Sequence, residues 1–114
     1  MITIYHNPRC RKSREGLAIV TASNAPYEVV EYLKNELSAS QISGLLSKLD
    51  MSAIDLVRKG ETIWKEQYKG RQLSEQQIIE AMATHPKLIE RPIVVKGDKA
   101  VVGRPPENIA VLLD

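Results

Sequence analysis

The chain has a single cysteine, Cys10, in the segment Ile4-Tyr5-His6-Asn7-Pro8-Arg9-Cys10-Arg11-Lys12-Ser13-Arg14. A thiol beside Arg9, Arg11 and Lys12 is in poor company for a core position, which favours a reactive cysteine over an inert buried one. Residues 1–5 read as a short strand that His6-Asn7-Pro8 breaks, and a helix is expected from near Cys10 to about Ala22. Cys10 then sits where unpaired N–H groups and the helix dipole converge, a place that stabilises a thiolate and binds anions. An unperturbed thiol has a pKa of about 8.5, so this environment must lower it if the thiolate is to exist near neutral pH. Ser13, one turn on, is expected to donate its hydroxyl to the thiolate. His6 has two readings, a proton relay or thiolate neighbour on one side and a turn-capping histidine on the other.

Cys10-Arg11-Lys12-Ser13 is a C-x-x-S pattern, with serine where the usual redox motif has its second cysteine. An internal disulfide is impossible, and any disulfide made by Cys10 must be with another molecule. A zinc site from His6, Cys10 and His85 is not expected, because the ligands are too few and match no zinc spacing.

Three arginines stand at backbone punctuation: Arg58 before Lys59-Gly60, Arg91 before Pro92, and Arg104 before Pro105-Pro106. A residue before proline is held extended, so its side chain can be aimed reproducibly. Guanidinium forks match tetrahedral oxyanions. One such arginine alone reads as ordinary surface. Three of them together with a thiolate at a helix N-terminus read as an oxyanion site.

The elements that must position these groups follow from patterning. Residues 27–33 read as a second strand. Residues 38–49 form an amphipathic helix, with Ile42, Leu45, Leu46 and Leu49 on one face. Residues 52–68 suggest short helical pieces, packed by Trp64 and Tyr68. Ser74 to Gln77 is a capping box opening a helix that His85-Pro86 ends. Residues 92–96 and 99–103 read as a hairpin about Gly97-Asp98, and Pro105-Pro106 opens a last helix. Gly60, Gly70, Gly97 and Gly103 read as turn or cap residues, with no Gly-rich nucleotide fingerprint. The order β-α-β, helices, β-β-α predicts a single α/β domain over residues 1–114. Its plan is a thioredoxin-like mixed sheet with an all-helical insertion at about residues 38–90.

The 114 residues suffice for one core, and 43% hydrophobic with 26% charged residues is an ordinary globular balance. A net charge of +2 is too weak to argue for nucleic acid. No apolar run approaches a membrane span, and the first residues lack the pattern of a signal peptide. A cytoplasmic location is expected.

The segment around Cys10 resembles the His-Asn-Pro-x-Cys-x-x-Ser-Arg segment of the glutaredoxin-dependent arsenate reductases. Leu56-Val57-Arg58-Lys59, His85-Pro86-Lys87-Leu88-Ile89-Glu90-Arg91-Pro92-Ile93-Val94-Val95 and Gly103-Arg104-Pro105 are similar to later segments of that family, in the same order. The resemblance implies a Cys10 nucleophile, Arg58, Arg91 and Arg104 as oxyanion ligands, and His6 and Ser13 in support. It also implies arsenate as substrate, with a role in arsenical resistance. It further implies no bound cofactor, glutathione as cosubstrate and glutaredoxin as partner. Arg11 and Lys12 depart from the small residues usual between the cysteine and the serine. Two competing readings are a regulator of the related Spx type, whose C-x-x-C is absent here, and a monothiol redox protein without an oxyanion substrate.

Overall fold

The computed structural model describes residues 1–113. In chain order the elements are β1 (Ile2–Tyr5), α1 (Arg11–Ala22), β2 (Tyr27–Val30), α2 (Ala39–Leu49), α3 (Ala53–Leu56), α4 (Thr62–Gln67), α5 (Glu75–Thr84), β3 (Ile93–Lys96), β4 (Lys99–Val102) and α6 (Ala110–Leu113). Short 3-10 turns at Pro86–Leu88 and Pro106–Ile109 precede β3 and α6. The chain forms two compact units, one from residues 1–35 with the chain from Arg91 onward, the other from residues 36–90.

The first unit is a four-stranded mixed sheet in the order β2-β1-β3-β4, the thioredoxin-like plan. β1 runs parallel to β2 and antiparallel to β3, and β3 pairs antiparallel with β4. Alternation places Ile2 and Ile4 on the core side of β1, where they pack with Val20 of α1, Val94, Ile109 and Leu112. The expected second strand is shorter than its apolar run, ending at Val30 and not at residue 33. Beyond Val30 the Glu31 carbonyl accepts the N–H groups of Lys34 and Asn35, closing a turn in place of a ladder. β2 is an edge strand with Tyr27 and Val29 exposed, so little packing extends it.

Pro92 is the wedge of this unit. A Cβ on Gly16 of α1 would lie 2.7 Å from Pro92 Cγ, and one on Gly103 would lie 3.0 Å from the same atom. The Gly103 N–H also donates to the Pro92 carbonyl at 2.8 Å. Gly103 is therefore a close-approach glycine and not the turn residue expected, whereas Gly70 and Gly97, with φ of 82° and 63°, do occupy left-handed turn positions. The Arg91-Pro92 and Arg104-Pro105 bonds are both cis.

In the second unit, α2 and α5 each begin with a complete capping box, Ser38 with Gln41 and Ser74 with Gln77. Their apolar faces meet through residues such as Ile42, Leu46, Ile79 and Met82. The Ala53 N–H donates to the Glu75 carboxylate at 2.8 Å, fixing the start of α3. An antiparallel bridge between Val57 and Ile89 closes the unit, flanked by Arg58 N–H to Leu88 carbonyl at 2.7 Å and Glu90 N–H to Leu56 carbonyl at 2.9 Å. Trp64 stacks on Tyr68 at 5.4 Å. Among the described residues no helix is long and apolar enough to cross a membrane.

The tight contact at Gly16 can be measured against a glycine in open space. Gly16→Ala should destabilise the protein by about 1–3 kcal/mol through overpacking against Pro92. Gly44→Ala in α2, where a Cβ meets nothing within 4 Å, should instead stabilise by up to about 1 kcal/mol through helix propensity. Urea denaturation of both variants checks the opposite signs.

Candidate active site

The site is built on the loop from β1 into α1. Cys10 is the N-cap of α1 in extended conformation, and its carbonyl accepts the Arg14 N–H at 3.0 Å. The loop before it is closed three times over. Cys10 N–H donates to the Asn7 carbonyl at 3.0 Å, Arg9 N–H to Asn7 Oδ1 at 3.0 Å, and Arg14 Nη1 to the Pro8 carbonyl at 3.0 Å. Asn7 thus makes an Asx turn, a structural role that its position before proline suits. Arg14 ties the loop to its own helix.

Ser13 is fully buried, and its hydroxyl serves the loop. It lies 2.7 Å from His6 Nδ1 and accepts the Asn7 N–H at 3.0 Å. The expectation that this hydroxyl donates to the thiolate is corrected: the Ser13 group that favours the thiolate is its backbone N–H. The hydroxyl thus bridges the His6 ring and the loop backbone. Burial is the main cause holding His6 below the ordinary imidazole range. The Glu31 carboxylate and a hydrogen bond to the Ser13 backbone oppose it, and Arg14 reinforces it. His6 is therefore neutral at pH 7 and anchors the loop through Ser13.

The Cys10 thiol is half-buried. Burial on its own pushes it up, yet its net shift is downward. The hydrogen bond from the Arg91 side chain, the Ser13 N–H, the Arg91 charge and the Lys12 N–H together outweigh desolvation. The buried Nε of Arg91 has no hydrogen-bond partner among the described residues. Such a donor is costly to leave unsatisfied, and a bound anion next to the thiol would satisfy it.

Arg104 is exposed and follows Gly103, the residue hydrogen-bonded to Pro92, so the peptides carrying Arg91 and Arg104 are held by neighbouring residues. Arg58 lies in the second unit, where its guanidinium pairs with Glu61 at 3.1 Å and Glu90 at 3.3 Å. The structure thus brings together Cys10, His6, Ser13 and Arg91, sets Arg104 in the same unit, and gives Arg58 two carboxylate neighbours. Sequence reasoning did not single out Asn7, Gly16, Glu61 or Glu90. The glycine in the middle of α1 was a signal, because mid-helix glycine is unfavourable without a packing reason. Among the described residues no group of three or more His, Cys, Asp or Glu could hold a metal.

A thioredoxin-like sheet with a thiol at the N-cap of its first helix, and an arginine before a cis-proline reaching that thiol, defines a single-cysteine thiol domain. The chain belongs to the ArsC family, whose model matches residues 5–112. An Escherichia coli protein designated uncharacterized protein YfgD is 46% identical over 110 residues, covering 95% of this chain and 92% of that one. A Haemophilus influenzae protein named arsenate reductase is 38% identical over 117 residues, covering 98% of each. Among solved structures, an arsenate reductase from Vibrio cholerae superposes with a TM-score of 0.94 at 41% identity, covering 97% of this chain and 96% of that one.

The causes of the thiol shift separate two substitutions. Alkylation by iodoacetamide follows the thiolate fraction, so its rate falls as pH drops through the Cys10 pKa. In the native protein that fall should come at lower pH than for an ordinary thiol, and Arg91→Ala should move it upward. Ser13→Ala should move it less, because the backbone N–H remains. It should instead cost about 1–3 kcal/mol of stability by stranding His6 and the Asn7 N–H.

Proposed function

We propose that this protein reduces arsenate to arsenite, with the Cys10 thiolate as nucleophile and Arg58, Arg91 and Arg104 as the oxyanion ligands. The observation that carries the reading is Arg91: one guanidinium lowers the thiol and keeps a buried Nε without a partner among the described residues. A group so placed can hold an oxyanion where the sulfur attacks it. Membership of the ArsC family, and relatives named arsenate reductase, support the choice of oxyanion.

The reaction balances as follows. Cys10 sulfur attacks arsenic(V), and an arsenate oxygen leaves as water with protons from the medium. A glutathione thiolate then attacks the Cys10 sulfur. The sulfur–arsenic electron pair goes to arsenic, arsenite departs as arsenic(III), and the Cys10–glutathione disulfide remains. The two electrons gained by arsenic come from the two sulfurs. Serine at position 13 supplies no second thiol, so the mixed disulfide is resolved from outside, by glutaredoxin. The chemistry belongs to a reducing compartment, in keeping with a cytoplasmic enzyme.

The test is arsenate-dependent NADPH oxidation coupled through glutathione, glutaredoxin and glutathione reductase. Cys10→Ser should abolish turnover, and Arg91→Ala should lower kcat/KM by about 10²–10³-fold, the scale of a lost transition-state donor. A Cys10 that alkylates readily in a protein that never turns over arsenate would overturn the substrate. Turnover that persists without glutathione and glutaredoxin would overturn the reductant.

A further inference from the structure

Arg58 differs from the other two candidate oxyanion ligands in the company it keeps. Glu61 Oε2 lies 3.1 Å from Nη1 and Glu90 Oε1 lies 3.3 Å from Nε. The side chains of Arg58, Glu61 and Glu90 are only 24%, 29% and 30% exposed, so solvent screens this cluster less than it does an open surface pair. The backbone fixes all three residues as well. Arg58 N–H donates to the Leu88 carbonyl at 2.7 Å, Glu90 N–H to the Leu56 carbonyl at 2.9 Å, and Glu61 N–H to the Arg58 carbonyl at 3.1 Å. This is a built arrangement with a guanidinium at its centre.

We infer that Glu61 and Glu90 are positioning residues that hold the Arg58 guanidinium in one orientation for an oxyanion. The inference rests on the reading of Arg58 as an oxyanion ligand. A guanidinium has five N–H donors in a planar fork, and contacts at Nη1 and Nε leave others to offer an anion. A free arginine side chain carries about 2 kcal/mol of rotamer entropy, which binding would have to remove. The two carboxylates remove much of it before substrate arrives. Arg58 then contributes through directed hydrogen bonds at contact. Glu90 immediately precedes Arg91, so the same stretch of chain that carries the thiol's arginine also carries one jaw of this clamp.

The opposite hypothesis is equally concrete: the carboxylates compete with arsenate for Arg58. Steady-state arsenate kinetics on Arg58→Ala, Glu61→Ala, Glu90→Ala and Glu90→Gln separate the two. Positioning predicts that Glu61→Ala and Glu90→Ala each raise the arsenate KM by roughly five- to tenfold, with kcat little changed, as part of the rotamer entropy returns, and that Arg58→Ala raises it at least as much. Glu90→Gln keeps an acceptor oxygen and should recover most of the loss. Glu90→Ala added to Arg58→Ala should raise KM no further, since both act through one group. A lower KM in the glutamate variants, with a raised KM in Arg58→Ala, would identify the carboxylates as competitors and overturn the proposal. An unchanged KM in Arg58→Ala would remove Arg58 from the site, and the clamp's purpose with it. Thermal melts on each variant guard against unfolding, and Glu90→Gln, which preserves size and shape, carries the test if an alanine variant does not fold.

Discussion

The contact on which the site depends is the packing of Pro92 against Gly16 and Gly103. The ring touches where any side chain at either glycine would intrude, and Gly103 N–H holds the Pro92 carbonyl. Gly16 belongs to the helix that Cys10 caps, so this contact ties the residue before Pro92 to that helix. Arg91 reaches the thiol and is the first of the groups that lower its pKa. Burial raises the pKa of any half-buried thiol, and only the guanidinium and the N–H groups of Ser13 and Lys12 overcome it. Backbone packing is converted into nucleophilicity.

The loop side of the site follows the same logic with hydrogen bonds in place of ring packing. His6, Asn7 and Ser13 form a closed set, in which the buried hydroxyl is hydrogen-bonded to the imidazole and accepts from the loop backbone. With Ser13 tied in this way, its own N–H stays aimed at the sulfur. The serine in place of a second cysteine therefore does more than remove a resolving thiol. It supplies an anchor that a thiol, a weaker hydrogen-bonding group, would replace poorly.

Much of this was legible in the sequence because it is local. The Pro8 break, the N-terminal helix position of Cys10, the Ser74–Gln77 box and the Gly97-Asp98 hairpin are each written within a few residues, and each is present. What could not be read was set by residues far apart in the chain. Gly16 is small because of Pro92, Gly103 because of Pro92 and Ile109, and Glu90 is placed by its pairing with Leu56. The Ser13 misreading has the same source. Helical spacing places its hydroxyl within reach of Cys10, but His6, seven residues away on the preceding strand's end, has the better geometry.

The most direct test of the coupling between Arg91 and Cys10 is nitrogen-15 NMR of the Arg91 guanidinium across a pH titration, with Arg91→Lys used to assign the resonance. A guanidinium stays charged throughout this range, so any shift of Nε reports a neighbour's ionisation. If the account holds, the Nε resonance will titrate with the same midpoint as the thiolate absorbance of Cys10, below the ordinary thiol range. A flat Arg91 resonance while Cys10 ionises would contradict it, and would leave the helix N-terminus alone to account for the reactive thiol.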